Sequence, residues 1–185
     1  MKIRKLVSQA LTFLAAIFLL STQIQVWAAD KDYVLNTAST GGTYHPVGTA
    51  IATLTKVKLL PKQKFSLTAV NSAGSGANVQ ALGAGTADFA ILQGLYGSYA
   101  ATGTGPISEP QKNLRSVTML WQNVEQFLVA NEKVKSGTVS DLMGLKGQAA
   151  GMGKQNSGTL GSNKVLLSGL GIDIGGDYDL VYAGY

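Results

Sequence analysis

"TASTGGTYHPVG", Thr37–Gly48, decides how this chain is read. It sets two adjacent glycines, four hydroxyl side chains, a tyrosine, the chain's single histidine and a proline between two apolar runs. The run before it, "YVLN" (33–36), is short and extended in character. The run after it, "VGTAIATLT" (47–55), repeats Val47, Ala50, Ile51 and Leu54 at the spacing of one helix face. Glycine permits tight backbone paths, and Ser and Thr satisfy the first amides of a helix. The stretch therefore reads as a strand-to-helix turn. Two other loops share its design, "NSAGSGAN" (71–78) and "GKQNSGTLG" (153–161), each after an expected strand and before an expected helix. Repeated strand, polar turn and helix predict an α/β fold with mainly parallel strands.

Outward from these loops, strands are expected at "YVLNTA" (33–38), "FSLTAV" (65–70) with Phe65, Leu67 and Ala69 inward, and "DFAILQ" (88–93). "LRSVTMLW" (114–121) and "EQFLVAN" (125–131) also read as strands, "KGQAAGMG" (146–153) as a weak one and "YDLVYAGY" (178–185) as the last. Helices are expected over "PVGTAIATLTKV" (46–57), "SGANVQALGAG" (75–85), "TVSDLMGL" (138–145) and "TLGSNKVLLSGLGI" (159–172). The last should bury Val165, Leu166, Leu167 and Leu170. Lys56, Lys58, Lys62 and Lys64 surround Pro61 and read as a solvated loop. Two strand-like runs in succession place a boundary between lobes near Trp121–Asn131. The resulting division is 1–28 as a leader, 29–122 as a first α/β lobe, and 123–185 as hinge and partial second α/β lobe.

The leader has Lys2, Arg4 and Lys5, an apolar run over 11–20, and small residues Val26 and Ala28 before a cut after Ala28. That is the pattern of a secretory signal peptide; the run is short for a membrane span, which takes about 20 residues. The expected product is exported or periplasmic. Without the leader's three cations, 12 basic residues face 10 acidic ones. No concentrated basic face remains to bind nucleic acid. The absence of cysteine excludes disulfides and thiolate metal sites, and a single histidine disfavours a histidine-based metal site.

At the carboxyl ends of parallel strands, unpaired amides of the following helices can face a ligand. With glycine and hydroxyl side chains around them, they suit a carboxylate or another small anion. The same residue types also serve as plain helix caps and turns. Tyr44, Tyr96 and Tyr99 can cover a ligand's apolar part or simply pack. Gln93 stands at a strand's carboxyl edge, where it can meet a ligand or cap the next turn. Catalytic patterns fail. No Gly-x-Ser-x-Gly elbow occurs. "GMGK" lacks both the leading glycine and the trailing Ser or Thr of a phosphate loop. "GSGANV" has Val79 where a dinucleotide fingerprint needs Gly or Ala. His45 has no paired nucleophile, and Asp88 reads as a cap or turn residue. No enzyme is expected.

"STGGTYHPVGTAIA" (39–52), "NSAGSGANVQALGAGTADFAILQ" (71–93) and "LKGQAAGMGKQNSGTLGSNKVLLSGLGI" (145–172) follow one another in this order. The combination resembles the TAXI-type solute-binding subunits of TRAP transporters. The resemblance implies a type II periplasmic-binding-protein-like fold, two α/β lobes with a hinged cleft. It implies a small carboxylate ligand, a glutamate-like amino acid or organic acid, passed to a TRAP-type membrane permease, with no cofactor. Carried over by position, the ligand residues are Ser39, Thr40, Gly41, Gly42, Thr43, Tyr44, Asn71, Ser72, Ser75, Gln93, Ser157, Gly158 and Thr159. Members of that family run beyond residue 185, so the second lobe is expected to be incomplete. The alternative is a small exported α/β enzyme or ligand-sensing domain using the same loops.

Overall fold

The computed structural model describes residues 30–184. The leader, 1–28, lies outside the described residues. Within the unit Lys31–Tyr185, β1 (Lys31–Asn36) runs parallel to β2 (Phe65–Val70) over six paired positions. It also runs parallel to β3 (Phe89–Ala90), giving the order β2-β1-β3. A parallel pair needs a crossover. The first is α1 (Tyr44–Leu54), a π turn (Thr55–Leu59) and α2 (Leu60–Gln63). The second is α3 (Ser75–Gly83). After β3 comes α4 (Gly94–Thr102).

Leu35, Ala52, Leu67 and Ile91 are buried together, with Tyr33, Ile51 and Phe65 packed against them. Tyr33, Phe65 and Phe89 form an aromatic trio across the three strands, with ring centroids 5.2 to 6.2 Å apart. Val79, Tyr96, Ala100 and Ile107 make a second cluster around α3 and α4.

A second, two-stranded parallel sheet joins β4 (Ala149–Ala150) to β5 (Asp179–Leu180). Between them lie α5 (Gly158–Ser168) and α6 (Ile174–Asp177). Leu142, Met152, Leu160, Leu167, Ile172, Ile174 and Tyr178 form its core. Among the described residues, no helix is long and apolar enough to cross a membrane.

Four expectations need correction. Lys56, Lys58 and Lys62 are not in a loop: the helix runs past them. The π turn makes this possible. Leu60 N–H reaches back to Thr55 O, and Pro61 falls in the first turn of α2, where its missing N–H is tolerated. The runs 114–121 and 125–131 carry no ladder among the described residues. Several of their apolar side chains stay in solvent, Met119 at 86% and Leu128 at 95% exposure, while Leu114, Phe127 and Val129 pack partly buried against the two cores. An alternating pattern makes a strand only when a partner supplies hydrogen bonds. The segment "TVSDLMGL" is helical as expected, but as a 3-10 helix over Val139–Leu145. On α5 only Leu167 of the four expected residues is buried, while Val165, Leu166 and Leu170 are exposed. Leu160, Ser162 and Asn163 take the inward positions instead.

Candidate functional site

Thr37 closes β1 and is fully buried. Its hydroxyl donates to Val70 O at 2.8 Å, so its oxygen accepts from His45 Nδ1–H at 3.0 Å. A hydroxyl has one proton, and this one is committed to the neighbouring strand. The Thr37 carbonyl accepts from Asn78 Nδ2 at 2.7 Å and from Ser72 Oγ at 3.2 Å. Asn78, also fully buried, donates again to Ile91 O at 2.9 Å. One polar hub therefore locks the carboxyl ends of all three strands. His45 acts here as a tie between α1 and β1.

Beyond the hub the chain turns at Ser39–Gly42, closed by Gly42 N–H to Ser39 O at 3.0 Å, and enters α1. The turn is one wall of a cavity of about 460 Å³. Ser39, Gly41, Gly42, Thr43 and Tyr44 line this wall, with Ser75 and Gln93 beside them and Ser157, Gly158 and Thr159 opposite. These expected residues are thus brought together from four separate loops. Thr40, Asn71 and Ser72 do not line the cavity. Thr40 and Asn71 are exposed to solvent, and the Ser72 hydroxyl is committed within the protein, donating to Thr37 O and accepting from Gly74 N–H at 3.0 Å.

Not every amide at these helix starts faces the cavity. Gly76 N–H and Ala77 N–H of α3 donate to Asn156 O, at 2.9 and 3.2 Å. Asn156 holds a left-handed backbone, φ 60°, a conformation Asn tolerates better than most residues. The protein's own carbonyl thus fills the position that a ligand anion would take at α3. Tyr96 Oη donates to Ser157 O at 3.3 Å, and the Ser157 hydroxyl oxygen accepts from Leu160 N–H at 3.1 Å as the cap of α5. The contact is close because of glycine. A Cβ on Gly76 would stand 2.8 Å from Asn156 O, and one on Gly158 would stand 2.6 Å from Gln93 Oε1.

Several lining residues carried no local signal. Asn123, Val124, Glu125, Gln126 and Leu128 come from the extended segment, Lys154 and Asn163 from around α5, and Ala183 and Gly184 from the segment after β5. Asn123 Nδ2 donates to Tyr44 Oη at 3.3 Å, and Trp121 meets the Tyr44 ring edge-on at 5.5 Å. Burial pushes the Tyr44 hydroxyl pKa up, and hydrogen bonds to Asn123 and Ser75 pull it back. The charge of Glu125 adds to the rise, so Tyr44 stays a neutral phenol. Gln93 Oε1 is buried without a hydrogen-bond partner, a state that costs about 1 to 3 kcal/mol until a donor meets it.

The sequence from 35 to 185 matches the NMT1-like family. The chain belongs to that family. NMT1-like proteins are of the periplasmic-binding type, and membership implies a substrate-binding protein with a small-molecule ligand and a membrane transporter as partner. The cavity of this NMT1-like chain suits such a role. It is lined mainly by neutral residues from several loops, hydroxyl and amide side chains among them, the design of a ligand pocket in which a few placed polar groups set orientation. Among the described residues, no group of three or more His, Cys, Asp or Glu side chains is placed to hold a metal ion.

Proposed function

We propose that this chain is an exported solute-binding subunit of the TAXI type, serving a TRAP-type permease with a small carboxylate. It performs no chemistry on the ligand. It holds the ligand between the Ser39–Tyr44 turn and the start of α5, and the extended segment around Trp121–Asn131 acts as a hinge. The observation that carries this reading is the convergence of the Gly/Ser/Thr turns on one cavity of about 460 Å³. Neutral donors at that site can gather around a carboxylate, and Lys154 in the same lining can add its charge. An affinity near micromolar corresponds to about −8 kcal/mol. A ligand of about ten heavy atoms can supply that, since small ligands reach about −1.5 kcal/mol per atom at best.

The test is isothermal calorimetry of the purified protein against amino acids, mono- and dicarboxylates, and neutral sugars. Carboxylates are expected to bind and sugars to give no heat. Binding of sugars alone would overturn the proposal.

A further inference from the structure

Among the described residues, the lining of the cavity contains one cation and one anion, Lys154 and Glu125, with neutral side chains around them. Neither is used up elsewhere: among the described residues no hydrogen bond or ion pair engages either group. They stand by different parts of the first wall. The Lys154 stem and the Ser39 hydroxyl both approach Gly184, where a Cβ would lie 3.8 Å from Lys154 Cδ and 3.1 Å from Ser39 Oγ. Glu125 lines the cavity with Tyr44 and lies near enough for its charge to act on the Tyr44 hydroxyl. The floor adds a second acceptor, the buried and unpartnered Gln93 Oε1.

Acceptors and donors are thus sorted. Glu125 and Gln93 can receive the protons of an ammonium group, while Lys154 and the Ser39 hydroxyl can give protons to a carboxylate. Charge decides between the small carboxylates that the loops alone would admit. A dicarboxylate brings two negative charges to a lining whose described residues sum to zero net charge, and sets one of them against Glu125. A glutamate-like amino acid brings one surplus negative charge. An α-amino acid with an uncharged side chain brings none, and both of its charged groups meet opposite charge.

We infer that the cavity selects net-neutral zwitterions, α-amino acids with uncharged side chains, over dicarboxylates and over acidic amino acids. Glu125 and Gln93 receive the α-ammonium, and Lys154 with the Ser39 turn receives the α-carboxylate. This inference rests on the carboxylate-binding reading above and narrows it.

The experiment is a calorimetric panel of the twenty L-amino acids, succinate and glutarate on the purified protein. The tightest amino acid is then compared with the same molecule lacking its α-amine. The tightest ligand is expected to be a net-neutral amino acid, at least tenfold tighter than succinate, glutarate, glutamate and its own amine-free analogue. Glu125→Gln is expected to erase at least tenfold of the preference for the amine and to leave the amine-free acid unchanged or tighter. Lys154→Gln should weaken amine-bearing and amine-free acids alike. If succinate, glutarate or glutamate binds tightest, or if Glu125→Gln weakens both analogues equally, the zwitterion assignment is overturned and the carboxylate reading stands. If nothing bearing a carboxylate binds, both fall.

Discussion

The two sheets of this chain are secured in different ways. The three-stranded sheet pairs β1 with β2 over six positions and ties its strand ends through Thr37, Asn78 and His45. The two-stranded sheet pairs only two positions on each strand. It depends on the cluster around Leu167 and on polar staples at separate points. Tyr178 Oη donates to Leu142 O at 2.6 Å, Asn163 Nδ2 donates to Met152 O at 3.0 Å, and Asp141 gathers the amides of Lys135, Ser136 and Gly137. Ladder bonds reinforce one another along a strand, whereas isolated staples protect only their own loops. The region around the two-stranded sheet should therefore open at lower free energy than the other. The same region supplies Ser157, Gly158, Thr159 and Lys154 to the cavity, so one wall of the cavity belongs to the less secured region.

The strongest way to break this contrast is Leu167→Ala. Leu167 is fully buried in the smaller core, and such a truncation costs about 2 to 5 kcal/mol. Denaturant unfolding should show that loss. Hydrogen exchange should speed up over 139–181 while the amides of β1 and β2 keep their protection. Equal loss of protection in both sheets would show that they unfold as one.

Gly48→Ala tests the opposite side. A Cβ at Gly48 would lie 2.3 Å from Thr37 Cγ2. Thr37 is held on both sides by its hydroxyl bonds, so it has little room to yield. Overpacking of this kind costs about 1 to 3 kcal/mol. The expected loss in a thermal melt should spread through the three-stranded sheet and leave the 139–181 exchange pattern less altered. A neutral substitution would mean that the hub is softer than its hydrogen bonds imply.

A smaller and pH-dependent effect sharpens the comparison. Hydrogen bonding from Ser136, with the amides of Lys135, Ser136 and Gly137, holds the Asp141 carboxyl down at about 2. Its hydrogen bond with Lys146 likewise lowers Asp177. In the other sheet, the hydroxyls of Ser66 and Thr68 lower Asp32. A carboxyl whose folded pKa lies below its unfolded value, near 3.9, adds stability above that value and loses it as pH falls through the folded pKa. For Asp141 the window runs from about pH 4 down to about 2. Amide NMR through that window should show 135–145 losing order before β1 and β2, and Asp141→Asn should flatten the response. Simultaneous loss in both regions would contradict the ranking.

Much of the architecture was legible because it is local. A short apolar run located β1, though two residues late at each end, and an alternating run located β2. Polar residues ahead of apolar periodicity located the starts of α3 and α5 within a residue, and Thr138 does cap its 3-10 helix by accepting from Ser140 N–H. The turn Thr37–Gly48 holds the strand-to-helix geometry expected of it. The readings that failed concerned partners. The segment 114–131 alternates like a strand, but no neighbour among the described residues completes its hydrogen bonds. Val165, Leu166 and Leu170 are apolar, but the face of α5 that packs is set by Leu160 and Leu167.

By itself, the sequence determined which segments prefer to extend, turn or coil, and which loops are rich in neutral donors, because those preferences arise within a few residues. Only the tertiary structure decided what each loop finally meets. It gave the amides of Gly76 and Ala77 to Asn156 O, turned His45 into a tie for Thr37, and left Gln93 Oε1 buried without a partner. It also carried Glu125 and Lys154 into one cavity with Ser39 and Tyr44. The physical reason is that a charge or an acceptor acts through space, and no pattern along the chain records which distant residue will lie within a few ångströms of it.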